Sequence, residues 1–233
     1  YNNLVDIDGA VNLIHEFQNE RPTFAILKHT NACGVATREK MIDAWNAALA
    51  GDPISAFGGI IISNKLVDVE TAENIDRIFY EVLIAPEFSE KALEVLTQKK
   101  NRILLKIKDL NIQSKSFKTL LNGVIEHDTD LYQHNVNNWK LSTKRSPTPQ
   151  ELNDLLFANK CVKHLKSNTI VLVKDQMMIG MGCGQTSRVD ALKQAIIKAK
   201  HFGFSLKGAV MASDAFFPFP DCVEIDRKST RLN

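Results

Sequence analysis

Apolar positions recur along this chain in short continuous runs that alternate with stretches of helical spacing. Val11, Ile14 and Phe17 fall three residues apart, flanked by Leu13, and predict a helix with Asp8 as its N-cap. Residues 23–27 form an apolar run that stops at Lys28 and His29, the pattern of a buried strand entering a loop. Residues 40–50 have helical composition, and Gly58-Gly59 then opens a second apolar run at 60–62. The pattern continues with a helix at 69–79, a strand at 82–85 closed by Pro86, a helix at 87–98 and a strand at 103–107. Strands alternating with helices predict an α/β architecture.

Residues 111–146 lose the helical period, and only 120–125 read as a strand. A long connection is expected there, ended by Pro147 and Pro149. Thr148 then precedes a helix at 151–165, with Gln150, Glu151 and Asp154 suited to its positive end. Two strands at 169–174 and 177–181 are joined by a tight turn at Asp175-Gln176. A helix at 187–202 and a strand at 209–212 follow. Residues 227–233 are polar, continue no expected element and read as an extraneous tail.

The length of 233 residues allows one large domain or two small ones. With 44% hydrophobic and 24% charged residues, the chain has the balance of a folded domain rather than a disordered one. A net charge of +2 supplies no field for nucleic acid, so an anionic ligand must be held by local groups. No apolar run approaches the ~18 residues of a membrane span, and no signal peptide is visible at the N-terminus, so a cytoplasmic location is expected. Cys33, Cys161, Cys183 and Cys222 form no C-x-x-C pair. Reduced, packed thiols are expected rather than a zinc site or a disulfide framework.

Five segments place polar or glycine-rich residues at predicted strand ends, where open α/β sheets bind ligands. In residues 28–34, a lysine and a histidine leave a buried strand together. The cation should push the pKa of His29 down, and a neutral imidazole can accept a proton from an amine. Lys28 can stabilise a developing oxyanion. In residues 52–59, Gly58-Gly59 after Phe57 allows backbone to approach a ligand. In Lys166-Ser167-Asn168, the asparagine can donate and accept at one place. In residues 180–188, a glycine-rich turn feeds a helix whose N–H groups suit an anion, with Arg188 available for a carboxylate or phosphate. The third glycine of a dinucleotide fingerprint is missing there. In residues 213–221, three phenylalanines among prolines can stack on a flat heterocycle, with Asp221 pairing a ring N–H edge. Taken singly, each segment also fits an ordinary turn, cap or patch of filler.

Together and in this order, Lys-His-x-Asn, Ser-x-Phe-Gly-Gly, Lys-Ser-Asn, Gly-Gln-x-Ser-Arg-Val and Ser-Asp-Ala-Phe-Phe-Pro-Phe form a specific set. From Tyr1 to Asp226 the chain resembles the transformylase domain of the bifunctional purine-biosynthesis family, which joins a formyltransferase to an inosinate cyclohydrolase. The resemblance implies an enzyme that transfers a formyl group from 10-formyltetrahydrofolate to the 5-amino group of the aminoimidazole carboxamide ribonucleotide (AICAR). It implies an α/β fold of two cytidine-deaminase-like subdomains with mixed sheets flanked by helices, without the deaminase zinc. Their expected limits are 1–110 and 148–226, the second incomplete, joined by 111–147 and followed by the tail at 227–233. By the same resemblance Lys28, His29 and Asn168 are catalytic. Phe57, Gly58, Glu81 and Phe216 would contact the ribonucleotide, and Ile54, Arg188, Val189, Phe219 and Asp221 the folate. The family is homodimeric, with active sites at the subunit interface, and can hold a structural potassium ion.

The sequence departs from the family pattern at Ala32, where proline is usual, and at Pro220, where arginine is common. The resemblance also implies truncation at both ends: the cyclohydrolase domain, a nucleotide-binding segment before Tyr1 and the C-terminal strands are expected to be missing. Two other readings bear on the same residues. A non-catalytic folate- or nucleotide-binding module would not need Lys28, His29 and Asn168 together. A zinc nucleobase deaminase needs His-x-Glu and Cys-x-x-Cys ligands, which the sequence lacks.

Overall fold

The computed structural model describes residues 1–230. Its elements, in chain order, are α1 (Asn2–His15), β1 (Thr23–Lys28), β2 (Asn31–Thr37), α2 (Met41–Gly51), β3 (Gly59–Ser63), α3 (Val69–Ile75) and β4 (Tyr80–Ala85). Next come α4 (Glu90–Leu96), β5 (Ile103–Lys106), β6 (Lys115–Leu120), β7 (Gly123–Asp128) and α5 (Pro149–Lys163). The chain closes with β8 (Ile170–Lys174), β9 (Met177–Gly182), α6 (Arg188–His201), β10 (Val210–Ser213) and α7 (Asp221–Thr230).

The architecture is mixed α/β, with one eight-stranded sheet in the order β10-β8-β9-β2-β1-β3-β4-β5. Only β3, β4 and β5 run parallel; the other neighbours are antiparallel. Both faces of the sheet are covered, which is why the strands read as continuous apolar runs. Phe24, Ile26, Ile61, Leu83 and Leu172 enter one core with Trp45 of α2 and Leu192 of α6. Ala25, Leu27, Ile62, Ile84 and Val171 enter the other with Leu13 and Ile14 of α1 and Phe157 of α5. The stretch 1–110 supplies β1–β5 and the stretch 148–226 supplies β8–β10, and the two halves of the sheet meet at β2 and β9 through Ala36 and Met177.

Several elements differ from their sequence-based expectation. The first helix starts at Asn2, so Asp8 lies within it rather than capping it. Strand β2 lies where the sequence predicts a loop, because Asn31-Ala32-Cys33-Gly34 has weak strand propensity. Burial selects it instead: a Cβ on Gly34 would lie 1.9 Å from the carbonyl oxygen of Ala48, so the bare backbone lets α2 sit directly on β2. The single strand expected at 120–125 is the inside of a hairpin, turning at Leu121 and Asn122 between β6 and β7. The local turn signal, Asn122-Gly123, lies one residue past that turn, since Gly123 already pairs with Leu120. Residues 227–230 continue α7 instead of leaving regular structure, whereas 231–233 lie outside the described residues. Among the described residues, no helix is long and apolar enough to cross a membrane.

Candidate functional site

The β1–β2 connection is a two-residue turn, since Lys28 pairs with Asn31. His29 and Thr30 both have positive φ, 52° and 65°. A two-residue hairpin turn of this kind favours asparagine and glycine, and each ordinary side chain placed there costs roughly 1 kcal/mol. Neighbours hold it in place. Asp6 of α1 accepts the Thr30 N–H at 2.7 Å, and the Asn31 amide donates to the His29 carbonyl at 2.9 Å. The His29 imidazole is thereby presented to solvent on a fixed backbone.

Two further segments attach to this turn. The Lys28 ammonium donates to the Phe57 carbonyl at 2.6 Å. Gly58, at φ +71°, donates its N–H to the Phe79 carbonyl at 2.8 Å, and the Phe57 and Phe79 rings lie 5.4 Å apart. On the other side, the Asn31 side-chain oxygen accepts the Lys166 N–H at 3.3 Å. The loop 166–168 is in turn laced to the glycine-rich turn. Gly184 N–H donates to Lys166 O at 2.7 Å, and the Asn168 amide donates to Gln185 O at 3.0 Å.

Asp214 ties in the aromatic segment. Its carboxylate accepts the Thr169 N–H and an Arg188 guanidinium N–H, each at 3.0 Å, and also the Ser167 hydroxyl. Burial raises its pKa, but these bonds outweigh burial and hold it below the usual carboxylate range. Glu81 occupies a β-bulge. Gly59 pairs with Tyr80 and Ile60 with Val82, which leaves Glu81 as the extra residue, half-exposed between two buried neighbours.

Lys28, His29, Asn168, Phe57 and Gly58 are thus linked through one hydrogen-bonded framework. Ile54, Phe57, Phe216 and Phe219 are exposed, while Phe217 of the same aromatic segment packs on the core. Arg188 is committed inward to Ser213 and Asp214, and Val189 packs against the core. Asp221 opens α7 and accepts the Cys222 N–H at 2.7 Å. The start of α6, expected to suit an external anion, already holds the chain's own groups. Ser187 accepts the Asp190 N–H at 3.1 Å, and the Asp190 carboxylate sits in the first turn. Asp6, Asn31 and Asp214 organise the site but were missed from sequence, because Asp6 lies far from the turn it supports and the other two lay inside motifs read for their neighbours.

The four cysteines are free. Burial pushes Cys33 up to about 12 and also raises Cys161, Cys183 and Cys222, which makes them poor nucleophiles. Among the described residues, no group of three or more His, Cys, Asp or Glu side chains is placed to hold a metal ion.

Comparison with known proteins shows the family of the chain. Residues 1–198 match the sequence model of the AICARFT/IMPCHase bienzyme family. The chain is 58% identical over 228 residues to the bifunctional purine biosynthesis protein PurH of Bacteroides thetaiotaomicron, covering 98% of the chain and 45% of that protein. It is 46% identical over 228 residues to PurH of Acetivibrio thermocellus, covering 96% of the chain and 43% of the relative. It is 47% identical over 222 residues to PurH of Chlorobium phaeobacteroides, covering 95% and 42%. The chain therefore spans less than half the length of these relatives. With the match running across both halves of the sheet, the chain belongs to the AICARFT/IMPCHase bienzyme family.

Proposed function

We propose that this chain carries the formyl-transfer chemistry of its family, moving the formyl group of 10-formyltetrahydrofolate to the 5-amino group of AICAR in purine biosynthesis. The observation that carries this reading is the framework around the β1–β2 turn: Lys28 is fixed on the Phe57 carbonyl, and Asn31 ties the His29 turn to the Asn168 loop. An ammonium has three donors. One is used on Phe57, which leaves two for an oxyanion.

In this reading the amine attacks the formyl carbon, and His29 accepts the amine's proton. Lys28 offsets the charge that moves onto the formyl oxygen, in the manner of an oxyanion donor. Collapse of the adduct breaks the bond to the folate nitrogen, which leaves with the proton held by His29. Asn168 orients the carboxamide beside the reacting amine. Phe57 and Gly58 meet the ribonucleotide, and the exposed rings of Phe216 and Phe219 supply flat surfaces for the two substrates. The free thiols suit a reducing compartment such as the cytosol. The same reading makes the protein a homodimer, in keeping with the apolar side chains exposed on β6 and β7.

Single-turnover formyl transfer from 10-formyltetrahydrofolate to AICAR, measured beside His29→Ala, tests the proposal. Transfer is expected in the wild type and should fall by about 100-fold or more in the variant. A variant with near-normal turnover removes the role of His29. Folate or nucleotide binding without transfer in the wild type makes the chain a binding module instead.

A further inference from the structure

Helix α2 ends on a buried carboxylate. Asp52 follows the last residue of that helix and is 2% exposed. The carbonyls at a helix C-terminus carry partial negative charge, so an acidic group there is disfavoured unless something compensates it. Oδ1 accepts the Ser55 N–H at 2.9 Å, and the backbone oxygen accepts the Ala56 N–H at 3.2 Å. Among the described residues, Oδ2 takes no aligned hydrogen bond and faces the Lys198 ammonium at 2.5 Å.

Lys198 belongs to the other half of the sheet. It lies in the last turn of α6, and α6 is seated closely on β9 because Gly180 and Gly182 present no side chains to it. Asp52 begins the segment that carries Phe57 and Gly58, and that segment ends at Gly59, whose N–H returns to the Ala56 carbonyl at 3.0 Å. Its middle is exposed at Ile54 and Phe57. The segment is tied to distant parts of the chain by Gly58 N–H on the Phe79 carbonyl, Lys28 on the Phe57 carbonyl and Lys198 on Asp52, and of these only Lys198 reaches it from the other half of the sheet.

We infer that Lys198 is a positioning residue: through its ion pair with Asp52 it sets the Phe57–Gly58 backbone against Lys28, and so lets α6 fix the ribonucleotide side of the site. This rests on the proposed role of Lys28 and Phe57. Lys198 touches no reacting atom and acts only through Asp52. Loss of the ammonium leaves a buried carboxylate at the negative end of a helix, and the local response is for the turn to open toward water and carry the Phe57 carbonyl away from Lys28.

The test uses the full chain with Lys198→Met, Lys198→Arg and Asp52→Asn. Amide hydrogen exchange comes first because it needs no activity. Lys198→Met should speed exchange at Ser55, Ala56 and Gly58 by about tenfold or more, leave β8 and β9 unchanged, and be reversed by Lys198→Arg. Asp52→Asn should loosen the same amides, which keeps the idea testable if Lys198→Met does not fold. Steady-state transfer comes second: Lys198→Met should raise KM for AICAR about tenfold and leave KM for the folate unchanged. Unchanged exchange in the segment, or equal acceleration throughout α6 and β9, overturns the inference. If the wild type transfers no formyl group, the proposed function fails, while the exchange experiment still decides whether Lys198 holds this segment.

Discussion

The Lys28 ammonium is held 2.6 Å from the Phe57 carbonyl oxygen, which couples the end of β1 to the segment before β3. A neutral carbonyl orients the ammonium without neutralising it, so the charge stays available to a ligand. Lys28→Met should lower formyl transfer by about 100- to 1,000-fold, the scale of a lost oxyanion donor. Its effect on stability should stay near 1 kcal/mol, the net value of one hydrogen bond. Single-turnover kinetics beside a denaturant melt checks both, and equal damage to activity and stability would point to a structural role alone.

Glu16 gives a pH prediction. It is buried at the end of α1 and accepts from Lys163 at 2.8 Å and from His164 at 3.2 Å. Burial raises its pKa, but the hydrogen bonds from His164 and Lys163 and their charge lower it from 4.5 to about 2. The folded value is depressed, so ionised Glu16 contributes stability above pH 4.5, and that contribution is lost as pH falls through about 2. Glu16→Gln should therefore be clearly less stable at neutral pH, and the gap should close in acid. Denaturant midpoints of both proteins across this range measure it; a constant gap would contradict the assignment.

Asp214 and Arg188 should behave as a coupled pair. Their side chains are 15% and 13% exposed, and Asp214 also holds Ser167 and the Thr169 amide. Asp214→Asn and Arg188→Ala should each cost about 1–3 kcal/mol. The double variant should fall short of their sum by about 0.5–3 kcal/mol, as expected for residues in direct contact. Strict additivity in a double-mutant cycle would show that the pair does not interact in solution.

Two glycines should respond in opposite directions. A Cβ on Gly182 would lie 2.0 Å from the Ala191 carbonyl oxygen, so Gly182→Ala should push α6 off β9 and cost about 3 kcal/mol. A Cβ on Gly9, inside α1, meets nothing closer than 3.7 Å. Gly9→Ala should stabilise by about 0.5–1 kcal/mol through helix propensity. Thermal or denaturant melts of the two variants suffice, and a destabilised Gly9→Ala would show that α1 packs more tightly there than this structure has it.

The sequence by itself determined the α/β class, most strand and helix positions and the motif residues. Apolar runs, helical spacing and turn residues are local properties, and both the Asp175-Gln176 turn and the Thr148 cap lie where local chemistry puts them. Only the tertiary structure decided that Asn31–Thr37 is a central strand, because Gly34 is favoured there by the close approach of α2 rather than by its own propensity. The hydrogen-bonded framework is also a tertiary product. Asp6 reaches Thr30, Asn31 reaches Lys166, Asp214 reaches Arg188, and Lys198 reaches Asp52 across the joined sheet. Pairings between residues so far apart in the chain leave no periodic trace in it, since chain folding rather than neighbouring sequence sets which side chains meet.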